Sequence, residues 1–193
     1  MQNLNFTLFS AINAGTAPQP GVARLAIFAA DWLVYVIPPM LLLTWLFGIR
    51  STRRQAIEAG LGACAALALG QVVSHFWFSP RPFMIGAGVQ LIPHAPDGSF
   101  PSDHMTFVWS VAVGMLAGRA TRATGCAMAL IAALIAWGRI YVGVHWPFDM
   151  AGGALVGTAG ALAVHLYARP VTAVLERIGE SVHAVVMGRL RAH

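Results

Sequence analysis

Apolar residues gather in five runs, at 22–48, 56–78, 103–118, 123–138 and 147–167, divided by intervals that carry most of the arginines and prolines. A helix needs about 20 apolar residues to cross the ~30 Å hydrocarbon core of a bilayer. Each run therefore predicts a membrane-crossing helix, with 103–118 and 123–138 at the short limit. Pro38 and Pro39 fall inside the first run and should kink it. Gly60, Gly62 and Gly70 suit the second to close helix packing, and Pro147 opens the fifth at the position where a helix tolerates proline best. Ahead of the runs, Leu4, Phe6, Leu8, Phe9 and Ile12 stand among polar neighbours, and Pro18-Gln19-Pro20 follows. That pattern predicts an interfacial helix over 1–21 that ends in a turn. With no basic start and no small-residue cleavage site, the first apolar run is expected to stay in the membrane. Residues 168–193 mix Val171, Val174, Ile178, Val182 and Val185 with Arg169, Arg177, Arg189 and Arg191, an amphipathic tail suited to an anionic leaflet. The expectation is an all-α, polytopic membrane helix bundle of about five transmembrane helices, one domain over 1–193.

Composition agrees and adds a direction. Hydrophobic residues make up 58% and charged residues 10%, where a soluble domain carries roughly a quarter charged. The twelve basic side chains are all arginine, against seven acids. Nine of them fall in 49–55, 119–122 and 168–193, which five crossings put on one face. The positive-inside rule makes that face, and with it the C-terminal tail, cytoplasmic. Arg24, Arg81 and Arg139 are left on the other face, the last two beside histidine-containing segments. Cys64 and Cys126 lie in apolar runs and read as packed thiols.

Three of these segments carry chemistry. In the first, Ser102 is placed to cap a helix that opens with Asp103 and His104, and free amide donors there suit an anion. In the second, His145 and Asp149 stand four apart at a helix start, so the carboxylate can orient one ring nitrogen and leave the other free to attack. In the third, the guanidiniums of Arg81 and Arg139 match phosphoryl oxygens. No carboxylate cluster suited to magnesium stands on this face, so neither metal nor cofactor is expected.

Arg81-Pro82, then Pro101-Ser102-Asp103-His104, then Arg139-x5-His145-x3-Asp149, in that order, resembles the type 2 phosphatidic acid phosphatase superfamily. Within it, the chain is similar to bacterial undecaprenyl-diphosphatases of the bacitracin-resistance type. The resemblance implies a phosphatase of the bacterial inner membrane, its site facing outward, that hydrolyses a polyprenyl diphosphate and so recycles the cell-wall lipid carrier. By the same resemblance His145 is the nucleophile, Asp149 its orienting acid and His104 the general acid and base. Arg81, Arg139, Ser102 and the amides of Asp103 and His104 would hold phosphate. The partners implied are the lipid and the bilayer; no nucleic acid is expected. Other lipid phosphates, transfer to a lipid acceptor, or a binding protein without turnover are the alternatives.

The chain departs from the family pattern at three positions. Ser74 stands where a lysine is usual; it can still donate one hydrogen bond to phosphate but leaves the cradle one cation short. Asp103 replaces a glycine and should point away from the phosphate or bond to a basic or backbone donor. Gly138 replaces a serine. Elsewhere, His94 and Asp97 read as solvated loop residues, with contact to the distal diphosphate as the alternative, Asp31 as a surface or paired acid near Arg24, and Trp77, Trp137 and Trp146 as interface anchors. The glycines of the second and fifth runs, Gly153 and Gly157 among them, offer a gap through which lipid could be admitted sideways.

Overall fold

The computed structural model describes residues 2–191, and every regular element among them is helical. The helices are α1 (Gln2–Ile12), α2 (Pro20–Asp31), α3 (Ile37–Phe47), α4 (Arg50–Phe76), α5 (Asp103–Ala117), α6 (Arg122–Tyr141), α7 (Pro147–Tyr167) and α8 (Arg169–Arg191). α4, α5 and α7 each pack against the other two and form the centre, α6 lies against α5, and α2 against α6. Small residues set these distances. A Cβ on Gly160 would come 2.5 Å from the Ala66 Cα, and one on Gly157 2.7 Å from the Thr106 carbonyl oxygen. α5 buries Val108, Val111 and Met115 completely.

The α4 helix, α6 together with its preceding turn, and α7 are long and apolar enough to cross a membrane, and α2 with α3 forms a fourth, bent pair. The fifteen residues of α5 rise only about 22 Å. The five expected crossings are thus three or four helices of sufficient length, with the shorter α5 enclosed by its neighbours. The break in the first run, with a bend of 48°, is not where the prolines suggested. The chain leaves α2 at Trp32 and passes through a 3-10 turn at Leu33–Val36, and Pro38 and Pro39 then sit in the first turn of α3, where their missing N–H groups have no intrahelical partner to lose.

Both ends of the chain are more engaged than an interfacial helix and a surface tail would be. α1 buries Phe9 against the ring of Trp146, centroids 4.9 Å apart, while Leu4, Phe6 and Leu8 stay exposed. The amide of Asn13 donates to the carbonyls of Val89 and Tyr141 and accepts from the Val89 N–H, tying three segments together. α8 is fastened to α4 by Arg53, whose guanidinium donates to both carboxylate oxygens of Glu180 at 2.9 and 2.7 Å. Arg54 bridges Glu176 and Glu58, each at 2.9 Å. The outer side of α8 presents Val171, Val174, Ile178, Val182 and Val185, so the amphipathic pattern is kept on the face that packing leaves free. Residues 192–193 of the expected tail, and residue 1, lie outside the described residues.

Candidate active site

Three segments meet at one end of the bundle: the loop after α4, the start of α5, and the turn 142–146 between α6 and α7. Gly143 makes that turn possible. Its φ is +82°, a region L side chains avoid, and a Cβ there would strike the Val89 carbonyl. The turn is then tied on three sides. The Trp146 indole donates to the Pro80 carbonyl at 2.9 Å, the Phe148 N–H donates to Asn5 Oδ1 at 3.0 Å, and the Ser102 N–H donates to the Asp149 carbonyl at 3.2 Å. Trp146 is therefore not an interface anchor: it is 7% exposed and joins the first and last motifs.

His145 and Asp149, four residues apart, are both buried, with Nδ1 3.3 Å from Asp149 Oδ2. The same oxygen accepts the Trp146 N–H at 2.8 Å, which fixes the carboxylate. A proton on Nδ1 shared with Asp149 leaves Nε2 with its lone pair. Arg81 Nη1 lies 3.0 Å from Nε2 and 3.5 Å from Nδ1. Being nearly equidistant from the two nitrogens, it sits off the lone-pair direction of Nε2, which stays open. Burial first, and then the guanidiniums of Arg139 and Arg81, hold the His145 imidazole well below the usual histidine value. The ring is neutral, the form in which an imidazole nitrogen can attack.

Beside it lies a cavity of about 290 Å³ lined by Ser74, Arg81, Asp103, His104, Arg139 and His145, with Gln71, His94 and Asp97. Arg81 is buried and aimed by the Asp97 carboxylate at 2.7 Å and the Val144 and Gly98 carbonyls at 2.9 and 3.2 Å. Arg139 is buried with Nη1 3.5 Å from Asp31, and its Nε–H has no hydrogen-bond partner among the described residues. Asp31 is thus a paired acid, but its partner is Arg139 rather than Arg24. Ser102 is fully buried, and its hydroxyl accepts the Met105 N–H at 3.5 Å as the cap of α5, so that oxygen serves the helix while Asp103 and His104 line the cavity.

The departures from the family pattern also find their places. Asp103 accepts from the side-chain amide of Gln71 at 3.2 and 3.3 Å, a neutral donor one turn before Ser74, in place of the basic or backbone donor expected. Gly138 is required by packing, since a Cβ would come 2.9 Å from the Ala26 carbonyl oxygen of α2. Asp97 is an exposed loop residue that pairs with Arg81, but His94 is not a solvated one. His94 Nε2 accepts from Arg139 Nη2 at 2.9 Å, and its ring stands 6.2 Å from that of His145. Their spacing from the motifs gave no sign of this; the proline-rich course of 79–101 folds them back over the site. Gly153 and Gly157 are closed against Ser102, Met105 and Thr106, so no gap for lipid exists there.

Residues 55–173 match the PAP2 superfamily. The chain is 37% identical to YbjG of Escherichia coli over 166 residues, 86% of this chain and 83% of that protein. It is 31% identical to the undecaprenyl-diphosphatase BcrC of Bacillus subtilis over 153 residues, 79% of this chain and 78% of that one. Its fold is similar to the crystal structure of Aquifex aeolicus LpxE, with a TM-score of 0.69 and 27% identity over 85% of this chain and 96% of that one. The matched residues contain all three motifs and the helices that bring them together, and on that basis the chain belongs to the PAP2 superfamily.

Proposed function

We propose that this protein removes the terminal phosphate of undecaprenyl diphosphate, leaving the monophosphate carrier and inorganic phosphate. The observation that carries the reading is His145 itself: buried, neutral, oriented by Asp149 and flanked by two arginines at the wall of a polar cavity. The name of the Bacillus subtilis relative supplies the substrate.

In the first step His145 Nε2 attacks the terminal phosphorus and the bond to the bridging oxygen breaks. That oxygen departs on the lipid monophosphate, taking its proton from His104. In the second, His104 removes a proton from water, the hydroxyl attacks the phosphohistidine, and the P–N bond breaks to free phosphate and regenerate His145. Arg81, Arg139 with its unused Nε–H, and the amides opening α5 stabilise the charge that spreads over the phosphoryl oxygens. These groups supply a nucleophile, a proton carrier and an electrostatic cradle without a metal. The bacterial cytoplasmic membrane, with the site outward, is the location we assign.

The test is phosphate release from a polyprenyl diphosphate in detergent with EDTA present, beside phosphatidate and phosphatidylglycerophosphate. Turnover of the diphosphate in EDTA that disappears in His145→Ala supports the reading. Turnover confined to the monophosphates, or abolished by EDTA, overturns the substrate or the metal-free chemistry respectively.

A further inference from the structure

The cavity is short of positive charge for the anion it is proposed to take. Its lining carries two guanidiniums, Arg81 and Arg139, against two carboxylates, Asp97 and Asp103, and Ser74 adds none. With its histidines neutral the wall has no formal net charge, yet a lipid diphosphate brings several negative charges. Of the three histidines present, His145 must stay neutral to attack and His104 is occupied with proton transfer. His94 has no part in either step. A guanidinium can only donate, so the 2.9 Å contact from Arg139 Nη2 shows that His94 Nε2 is unprotonated at rest, and its Nδ1 donates to the Ala95 carbonyl at 3.1 Å.

We propose that His94 is a phosphate ligand that becomes cationic only when the diphosphate binds, and that it stands in for the cation missing at Ser74. As the anion draws Arg139 Nη2 to its own oxygens, His94 Nε2 loses its donor, takes up and keeps one proton from solvent, and hydrogen-bonds through it to a phosphate oxygen. The ring is near enough to serve, 6.2 Å from the ring of His145 and on the same cavity wall. The charged and titratable groups around it are Arg139 of α6, Arg81 and Asp97 of its own loop, His104 and Asp103 of α5, and His145 of the turn. At rest burial and then the two arginines hold His94 below its usual range, and an anion between them reverses the arginines' effect. This assignment rests on the phosphatase reading for its natural ligand, but its test does not require turnover.

The experiment is calorimetric titration of the detergent-solubilised protein with inorganic pyrophosphate, in buffers of differing ionisation enthalpy so that bound protons are counted. His94→Gln should bind about ten- to a hundredfold more weakly at pH 6.5 and take up about one proton fewer than wild type. Ser74→Lys in the His94→Gln background should restore the affinity without restoring the proton. His94→Gln with unchanged affinity and proton count, or a loss that Ser74→Lys does not repair in a variant of unchanged melting temperature, overturns the proposal. If pyrophosphate binds as described while lipid diphosphate is not hydrolysed, the phosphatase reading fails and the role of His94 stands.

Discussion

At the scale of single residues, the site depends on which nitrogen of His145 is bare. Asp149 sets this from 3.3 Å, so Asp149→Asn should keep the fold and substrate affinity but lower kcat by about 10³-fold, because the amide can hold the ring in the wrong tautomer. Single-turnover kinetics beside KM separates that outcome from a loss of binding. The lowered titration of His145 carries a sign. The attacking form is neutral, and burial beside Arg139 and Arg81 keeps it neutral to well below pH 6.5. The acid limb of kcat/KM should therefore lie below 6.5, not at it. The alkaline limb should appear in kcat and belong to His104, whose neutral resting ring must take up a proton with the bound anion before it can serve the leaving oxygen. His104→Ala should lose that limb together with about 10²–10⁴ in rate on the lipid diphosphate. It should lose far less on p-nitrophenyl phosphate, whose leaving group needs no proton, and an equal loss on both substrates would remove His104 from that role.

At the scale of elements, His145, the proposed nucleophile, is delivered by a turn and the turn is held by close-packed helices. Gly143→Ala puts a side chain at φ +82° and against the Val89 carbonyl, a strain of about 1–3 kcal/mol. It should lower the melting temperature and activity together, and an active, fully stable variant would show that the turn can re-form. Gly157→Val forces α7 from the backbone of α5 and should destabilise by about 1–3 kcal/mol or more, read by thermal unfolding in detergent. The helix pattern was legible where apolar runs met clear stops: α7 begins at Pro147 and α5 at Asp103, both as the local signals indicate. It was not legible where tertiary contacts decide. No local signal placed the break of the first run at Trp32 rather than at Pro38, or bent the 79–101 loop so that His94 meets Arg139 across 45 residues. Asp31 likewise pairs with Arg139 across two helices, a partner no spacing rule could supply.

At the scale of the whole molecule, charge is distributed by end. The site end holds Arg81 and Arg139, both buried and both engaged with carboxylates, so neither is a free surface charge that would oppose translocation. The opposite end holds Arg50, Arg53 and Arg54 at the start of α4, Arg119 just before α6 and Arg122 at its start, and the arginines of α8. The ion pairs of Arg53 and Arg54 with Glu176, Glu180 and Glu58 hold α8 to that end. By the positive-inside rule this end should remain in the cytoplasm and the site should open outward, which suits a lipid whose diphosphate is exposed on the outer leaflet. The prediction is tested with one reporter cysteine at a time in a background of Cys64→Ala and Cys126→Ala. Ala95→Cys reports on the site loop and Ala173→Cys on α8. In intact cells a membrane-impermeant maleimide should label Ala95→Cys alone, and permeabilisation should expose Ala173→Cys. The reverse order would put the phosphatase site in the cytoplasm and require a substrate presented from the inner leaflet. Replacing Asp97 and Asp31 with Asn frees Arg81 and Arg139 of their carboxylates and should still leave this labelling order unchanged, since the bias comes from the nine arginines at the far end.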